Sequence, residues 1–347
     1  MTVSLPQLIE TVQTNCYIND ARHAQDMTMC TYLLEMRQYY RWEHSVPFSR
    51  RLPKEDLGDW LTEREALWIT LEESDYQPIV TSSGTHDPFA AERINRDLLP
   101  EGLVYSAGIG RFGRPHFFLG RLHKREQRDG FNIYSADCEY ARDLVAPPTA
   151  LLQRDIFIRR EIVQDFLWGK LEEWNWKRQD NALGRALQCY DFDQHPDTAL
   201  EKMTDAETEA MILHELGEGH AGELLGESRW QEMLAGCTKH KPEIIARAVR
   251  DNLADCVMTL PNLIARGEAS SIHFYFGNFS GMRAKLFPAA YNAYHASVEH
   301  GHWVELKNIA ERGRDHWLMV AEKLLAVDRA NPDADALLAA MGEDAVL

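Results

Sequence analysis

The sequence predicts an α+β chain: an N-terminal domain of helices and a small antiparallel sheet, followed by an all-α helical bundle. Two changes of texture carry that expectation. Residues 103–140 hold three segments rich in β-branched and aromatic residues separated by glycine-containing connectors, whereas beyond residue 150 apolar residues recur every three to four positions. Between them lies Ala146-Pro147-Pro148-Thr149, which continues neither element type because proline lacks the donor and fixes φ. The expected domains are therefore 1–147 and 148–347. At 347 residues the chain exceeds one small core, since domains typically run to ~100–200 residues.

In chain order, Met27–Tyr40 places Met27, Cys30, Leu33, Leu34 and Arg37 at helical spacing, and Leu57–Glu73 continues with Trp60, Ala66 and Leu67. Two helices are expected there. Asp87-Pro88 opens a third over 89–98, because aspartate accepts from an orphan amide and proline occupies the first turn, where no donor is needed. LVYSAGIG (103–110), HFFLGRLHK (116–124) and FNIYSADCEY (131–140) then read as a meander of three strands. After the prolines, Ile156, Ile158, Ile162, Val163, Phe166 and Leu167 stripe one long helix over 151–177. Further helices are expected over 205–225, 242–265, 289–300 and 303–328. In the last, Trp303, Leu306, Ala310, Trp317, Val320 and Leu324 form the core face of a bundle helix.

The net charge of −17, from 37 Lys+Arg against 54 Asp+Glu, repels phosphate backbones and anionic lipid surfaces. Nucleic acid is not an expected partner. The longest stretch without Asp, Glu, Lys or Arg, Ala269–Met282, falls short of the ~18–20 apolar residues of a spanning helix. The opening residues lack the basic segment and apolar run of a secretory signal, and six cysteines form no CxxC pair. A cytoplasmic protein with buried, reduced thiols is expected.

The most pointed string is His214-Glu215-Leu216-Gly217-Glu218-Gly219-His220. It is not the HExxH metalloprotease helix: that motif needs two histidines one turn apart, and a six-residue separation sets His214 and His220 about 120° apart around a helix. The helix does align His214 with Glu218 at i and i+4. A second face carries His295, Glu299 and His302, provided the helix survives Gly301; a third carries Asp251 and Asp255; a fourth carries Glu161 and Asp165. Four helices presenting such pairs are what a carboxylate-bridged dinuclear centre in a bundle requires. Chance tempers this reading. His, Asp and Glu make up about one residue in five, so roughly 14 i,i+4 pairs arise at random and about four of them include histidine. Carboxylate pairs alone therefore carry no weight, and the Glu-x-x-His signature of ferritin-like bundles is absent from the four helices. Gly217 and Gly219 add a separate question. Each costs about 1 kcal/mol relative to alanine inside a helix, so they either end it or admit a close neighbour.

Weaker features have simpler readings. Gly108–Gly113 fits GxGxxG but leads from strand to strand, so a hairpin turn is expected rather than a dinucleotide site. Cys237-Thr238-Lys239-His240 is half a zinc site without a second half. Thr85-His86-Asp87 reads as helix capping rather than a triad. One segment opposes the acidic average: Arg111, Arg114, Arg121, Lys124, Arg125 and Arg128 face only Glu126, and on a hairpin they would concentrate positive potential on one projecting element.

The segment NCYINDARHAQDMTMCTYLLEMRQYYRWEH, with HELGEGHAGELLG, resembles a family of uncharacterised bacterial proteins known by locus-tag names, over the whole chain. The resemblance implies no activity and no catalytic residues. From the residues themselves, the first functional reading is a metal-dependent enzyme, a carboxylate/His bundle oxidoreductase or hydrolase. It would bind iron, manganese or zinc through His214, Glu218, Asp251, Asp255, His295 and Glu299, with Glu215 or His220 assisting proton transfer to or from a small-molecule substrate. The alternative is a non-catalytic regulatory or scaffold protein that binds a protein partner through the basic hairpin.

Overall fold

The computed structural model describes residues 4–109 and 114–347. The chain divides into two compact units, one of residues up to Gly169 with His195–Thr204, the other of Lys170–Gln194 with Asp205–Leu347. The first is α+β and the second is all helical.

The first unit opens on a helix that the apolar spacing did not announce, α1 (Leu5–His23). Gln7 Oε1 accepts from Ser4 N and Oγ at 3.4 and 3.1 Å, holding the first turn. Helices α2 (Met29–Glu43) and α3 (Lys54–Leu71) fall where the periodicity puts them. A short hairpin, β1 (Ile79–Thr81) and β2 (Gly84–His86), precedes α4 (Ala91–Leu98). Asp87 Oδ1 accepts from Phe89 N at 2.8 Å, so it caps the turn before α4 rather than the helix itself.

The expected meander is β3 (Leu103–Ile109), β4 (Pro115–Arg128) and β5 (Phe131–Arg142), antiparallel throughout. Pairing of Ile109 with Pro115 confirms the strand-to-strand reading of the glycine-rich connector, whose residues 110–113, Arg111 among them, lie outside the described residues. Asp129 and Gly130 join β4 to β5 with φ of 49° and 80°. That is the two-residue turn in which both central residues are left-handed, the reason Asp-Gly is favoured.

The prolines interrupt the sheet without ending it. Beyond them β6 (Thr149–Leu152) and β7 (Asp155–Arg159) complete a five-stranded sheet of order β3-β4-β5-β7-β6, with β7 parallel to β5. Pro148 cannot donate, yet its carbonyl accepts from Arg159 N at 2.9 Å. This corrects the long helix expected over 151–177: Ile156 and Ile158 belong to a strand buried on both faces, and helix α5 begins only at Arg160, running to Trp176. A fully buried strand shows a continuous apolar run that periodicity cannot separate from a helix. One sheet face carries Tyr105, Ala107, Phe117, Leu119 and Ala141 against Leu8, Val12 and Cys16 of α1; the other carries Val104, Phe118, Tyr134, Ala136 and Phe157.

The second unit holds α6 (Ala182–Gln188), α7 (Pro196–Leu225) from Asp205 onward, α8 (Glu227–Ala235), α9 (His240–Ala254), α10 (Leu260–Arg266), α11 (Ala269–Asn278), α12 (Gly281–Leu286), α13 (Pro288–His300), α14 (Val304–Leu325) and α15 (Ala334–Glu343). Its core joins Leu213, Ala221 and Leu225 of α7, Val249 and Leu253 of α9, Phe276 of α11, and Leu306, Trp317, Val320 and Leu324 of α14. The helix expected over 242–265 is present, running on through one π-helical turn, Asp255–Thr259, between α9 and α10. Pro261 has no N–H to return to the preceding turn, and Leu260 N–H reaches back five residues to the Asp255 carbonyl. All six cysteines are free thiols; Cys16 and Cys256 are buried as expected, but Cys30 and Cys189 are exposed. Among the described residues no helix is long and apolar enough to cross a membrane.

Candidate metal centre

Gly217 answers the question its presence raised. It and Gly219 lie inside α7, and neither adopts a positive φ. A Cβ at 217 would stand 2.4 Å from the Ala254 carbonyl oxygen and 2.9 Å from its carbon. The missing side chain therefore lets α7 and α9 meet backbone to backbone. Gly217 stands between His214 and Glu218, and Ala254 between Asp251 and Asp255. Close approach at that point brings the two i,i+4 pairs together.

Three of the expected ligands converge. Donor atoms of His214, Glu218 and Asp251 all lie within 4.8 Å of one another. A cation at ~2.0–2.2 Å from each needs separations of about 4 Å or less, so small side-chain movements close the set. Three protein donors leave positions for water or substrate, as catalytic sites require.

Asp255 does not join them as a ligand. Its Oδ1 accepts from His214 Nδ1 at 2.8 Å and from Thr259 Oγ1 at 3.0 Å; its Oδ2 accepts from Tyr275 Oη at 2.9 Å and from an Arg283 Nη. Four donors fill the about four lone-pair positions of a carboxylate. Asp255 fixes the imidazole through Nδ1 instead, the carboxylate–histidine arrangement that orients metal-binding histidines, so a cation would have to take Nε2 by displacing the proton of the metal-free ring. The π-turn aims Asp255 and Thr259 at the same point, a common use of such turns.

Charge follows this geometry. Burial would raise the Asp255 pKa, but Arg283 and His214 hold it well below the usual carboxylate range. Burial would lower that of His214, yet the Asp255 charge beside it outweighs burial and pushes it up to about 10. Burial raises Glu218 to about 8 against the pull of Arg250, and the Asp251 charge adds to the rise. In the absence of an ion, burial and the neighbouring Asp251 charge therefore favour the protonated form of Glu218. Arg250 Nε meets Glu218 Oε2 at 2.8 Å and Arg250 Nη2 meets Glu227 Oε2 at 2.8 Å, which anchors one Glu218 oxygen.

The remaining expected residues go elsewhere. Glu215 is buried on α7, and its charge contributes to the raised pKa of His214. His220 Nδ1 lies 3.3 Å from Glu223 Oε2 and outside the cluster. His295 and Glu299 are exposed on α13, with His295 stacked edge-on to Tyr291 at 4.7 Å. This corrects the four-helix dinuclear centre: α13 turns those two side chains to solvent. Gly301, at φ 72°, ends α13 and carries His302 off that face. Glu161 and Asp165 serve the first unit, Glu161 accepting from Glu139 N at 2.7 Å and Asp165 from Arg142 at 3.0 Å.

Sequence reasoning missed Thr259, Tyr275 and Arg283. Thr259 was discoverable, four residues after Asp255; Tyr275 and Arg283 arrive from α11 and α12 with no periodic signal. Among the described cations of the basic hairpin, Arg114 pairs with Asp26, Arg121 with Asp137, Lys124 and Arg128 share Glu126, and Arg125 lies over the Tyr134 ring.

No curated protein and no solved structure matches the chain. Residues 7–159 match the N-terminal domain, and residues 164–343 the C-terminal domain, of a family of unknown function, DUF6866. Both halves match in order over nearly the whole length, so the chain belongs to the DUF6866 family.

Proposed function

We propose that the protein is a metal-dependent enzyme, a hydrolase or oxidoreductase acting on a small molecule, whose iron, manganese or zinc ion is bound by His214 Nε2, Glu218 and Asp251. The observation that carries the reading is the convergence of these three donors across the Gly217–Ala254 contact, with His214 oriented by a buried, fully hydrogen-bonded Asp255. One imidazole and two carboxylates suit a borderline or hard divalent ion rather than a soft one. Such an ion supplies Lewis acidity and a lowered pKa for bound water. In this reading Glu215, buried beside His214, carries the proton; His220, drawn to Glu223, does not. Free cysteines throughout support a reducing, cytoplasmic setting. The scaffold alternative has less support, because Arg114, Arg121, Lys124 and Arg128 are each paired with a carboxylate inside the first unit.

The test is metal content and metal titration with Mn²⁺, Fe²⁺ and Zn²⁺ on the intact chain and on His214→Ala, Glu218→Gln, Asp251→Asn and His295→Ala. The first three should each weaken binding at least 10-fold, as loss of a ligand does, with His295→Ala unchanged. Equal binding by all five proteins would overturn the proposal.

A further inference from the structure

A second cluster lies at the corner between α13 and α14, independent of the buried one. Gly301 adopts the left-handed conformation, at φ 72°, and reverses the chain between two histidines. Both side chains fold back onto the first turn of α14. His300 Nδ1 lies 2.7 Å from Glu305 Oε1, and His302 Nδ1 lies 3.2 Å from Glu305 Oε2. The ring centroids are 5.6 Å apart, and one donor atom from each of the three residues lies within 4.8 Å of the others.

The carboxylate is also held from below. Ser297, 1% exposed, donates its hydroxyl to Glu305 Oε2 at 3.4 Å and accepts Leu306 N at 3.2 Å. Glu305 is thus positioned by a buried side chain, while His300 and His302 remain about half exposed, at 55% and 52%. A cation approaching from solvent meets two imidazoles already turned toward one carboxylate. Exposed side chains close the residual gap to ~2 Å bonds by rotation, at little packing cost.

We propose that His300, His302 and Glu305 form a solvent-facing site for a divalent transition-metal ion, zinc being the class best matched. Two imidazoles and one carboxylate discriminate against magnesium and calcium, which prefer all-oxygen sets. Remaining coordination positions point to water. The left-handed Gly301 is part of the site, because a β-carbon there strains the reversal that brings the two histidines together.

The experiment is calorimetric titration of Zn²⁺ alone into a His214→Ala background, which removes the buried site from consideration. Cys30→Ser and Cys189→Ser are added there so that exposed thiols do not compete. One Zn²⁺ per chain is expected. His300→Ala with His302→Ala should abolish it, Glu305→Gln should weaken it 10-fold or more, and His295→Ala should leave it unchanged. The imidazole ¹⁵N resonances of His300 and His302 should shift on Zn²⁺ addition. Undiminished binding by the double histidine variant, or unshifted His300 and His302 resonances at saturating Zn²⁺, would overturn the site without bearing on the buried one.

Discussion

Gly217→Ala puts the helix contact under direct stress. In a solvated helix the change gains about 1 kcal/mol of propensity. Here the new methyl carbon would stand 2.4 Å from the Ala254 oxygen, about 1 Å inside van der Waals contact. The obstacle is backbone on both sides, so no side chain can rotate away; α7 and α9 must separate. Overpacking of this kind costs about 1–3 kcal/mol or more, and because the obstacle is backbone the upper part of that range applies, which leaves a net loss of up to about 2 kcal/mol after the propensity gain. For a unit of this size each kcal/mol moves Tm by roughly 2–4 °C, and a fall of that order is expected by circular dichroism. The same separation draws His214 and Glu218 away from Asp251, so metal affinity should fall with it. Gly58→Ala and Gly169→Ala are the controls, because nothing lies within 4 Å of either added carbon; both should hold or raise Tm. A Gly217→Ala protein that melts higher than the parent and binds metal equally would refute the close-contact argument.

Asp255→Asn removes the charge that faces His214 and Arg283 in a buried setting, and should cost about 3–5 kcal/mol in denaturant unfolding, as breaking one side of a buried pair does. Glu207, buried on α7 with Ser271 Oγ donating at 2.9 Å, has its pKa raised by burial from 4.5 to about 8. A raised acid pKa gives stability that is present below 4.5 and lost as pH climbs to about 8. Glu207→Gln should therefore gain on the parent across that range in chemical denaturation, and a constant difference between pH 4 and 9 would contradict the assignment. Alanine at Arg121, Lys124 and Arg125 together should shift stability by no more than about 0.5 kcal/mol per residue, because these are exposed pairs; a protein unable to fold would show that the hairpin charges are structural.

Legibility followed the physics of each element. Helix α14 shows the apolar stripe its spacing predicts, with Leu306, Ala310, Trp317, Val320 and Leu324 buried, whereas α2 and α3 lie where expected but bury Met36, Tyr39, Tyr40 and Trp68 and leave Leu33, Leu34 and Leu67 exposed. β7 was misread as helix because both its faces are buried, and α1 went unread although Ser4 and Gln7 carry its capping signal. At the site, the His214–Glu218 and Asp251–Asp255 pairs were visible as i,i+4 spacings. Their roles were not, since spacing cannot tell a ligand from the carboxylate that orients it; that needed Tyr275 and Arg283 arriving from other helices. A glycine inside α7 is anomalous by propensity alone, and the Ala254 backbone packed against it supplies the reason. His302 was assigned to the wrong face because the left-handed Gly301 lies between it and His295.

The central claim is that His214, Glu218 and Asp251 hold one ion. It is tested most directly by metal analysis of the protein carrying His300→Ala and His302→Ala, loaded with Mn²⁺, Fe²⁺ or Zn²⁺, desalted, and compared with the same protein bearing His214→Ala. One equivalent retained by the first and none by the second is the expected result. Equal retention by both, or none by either with any of the three ions, would contradict it.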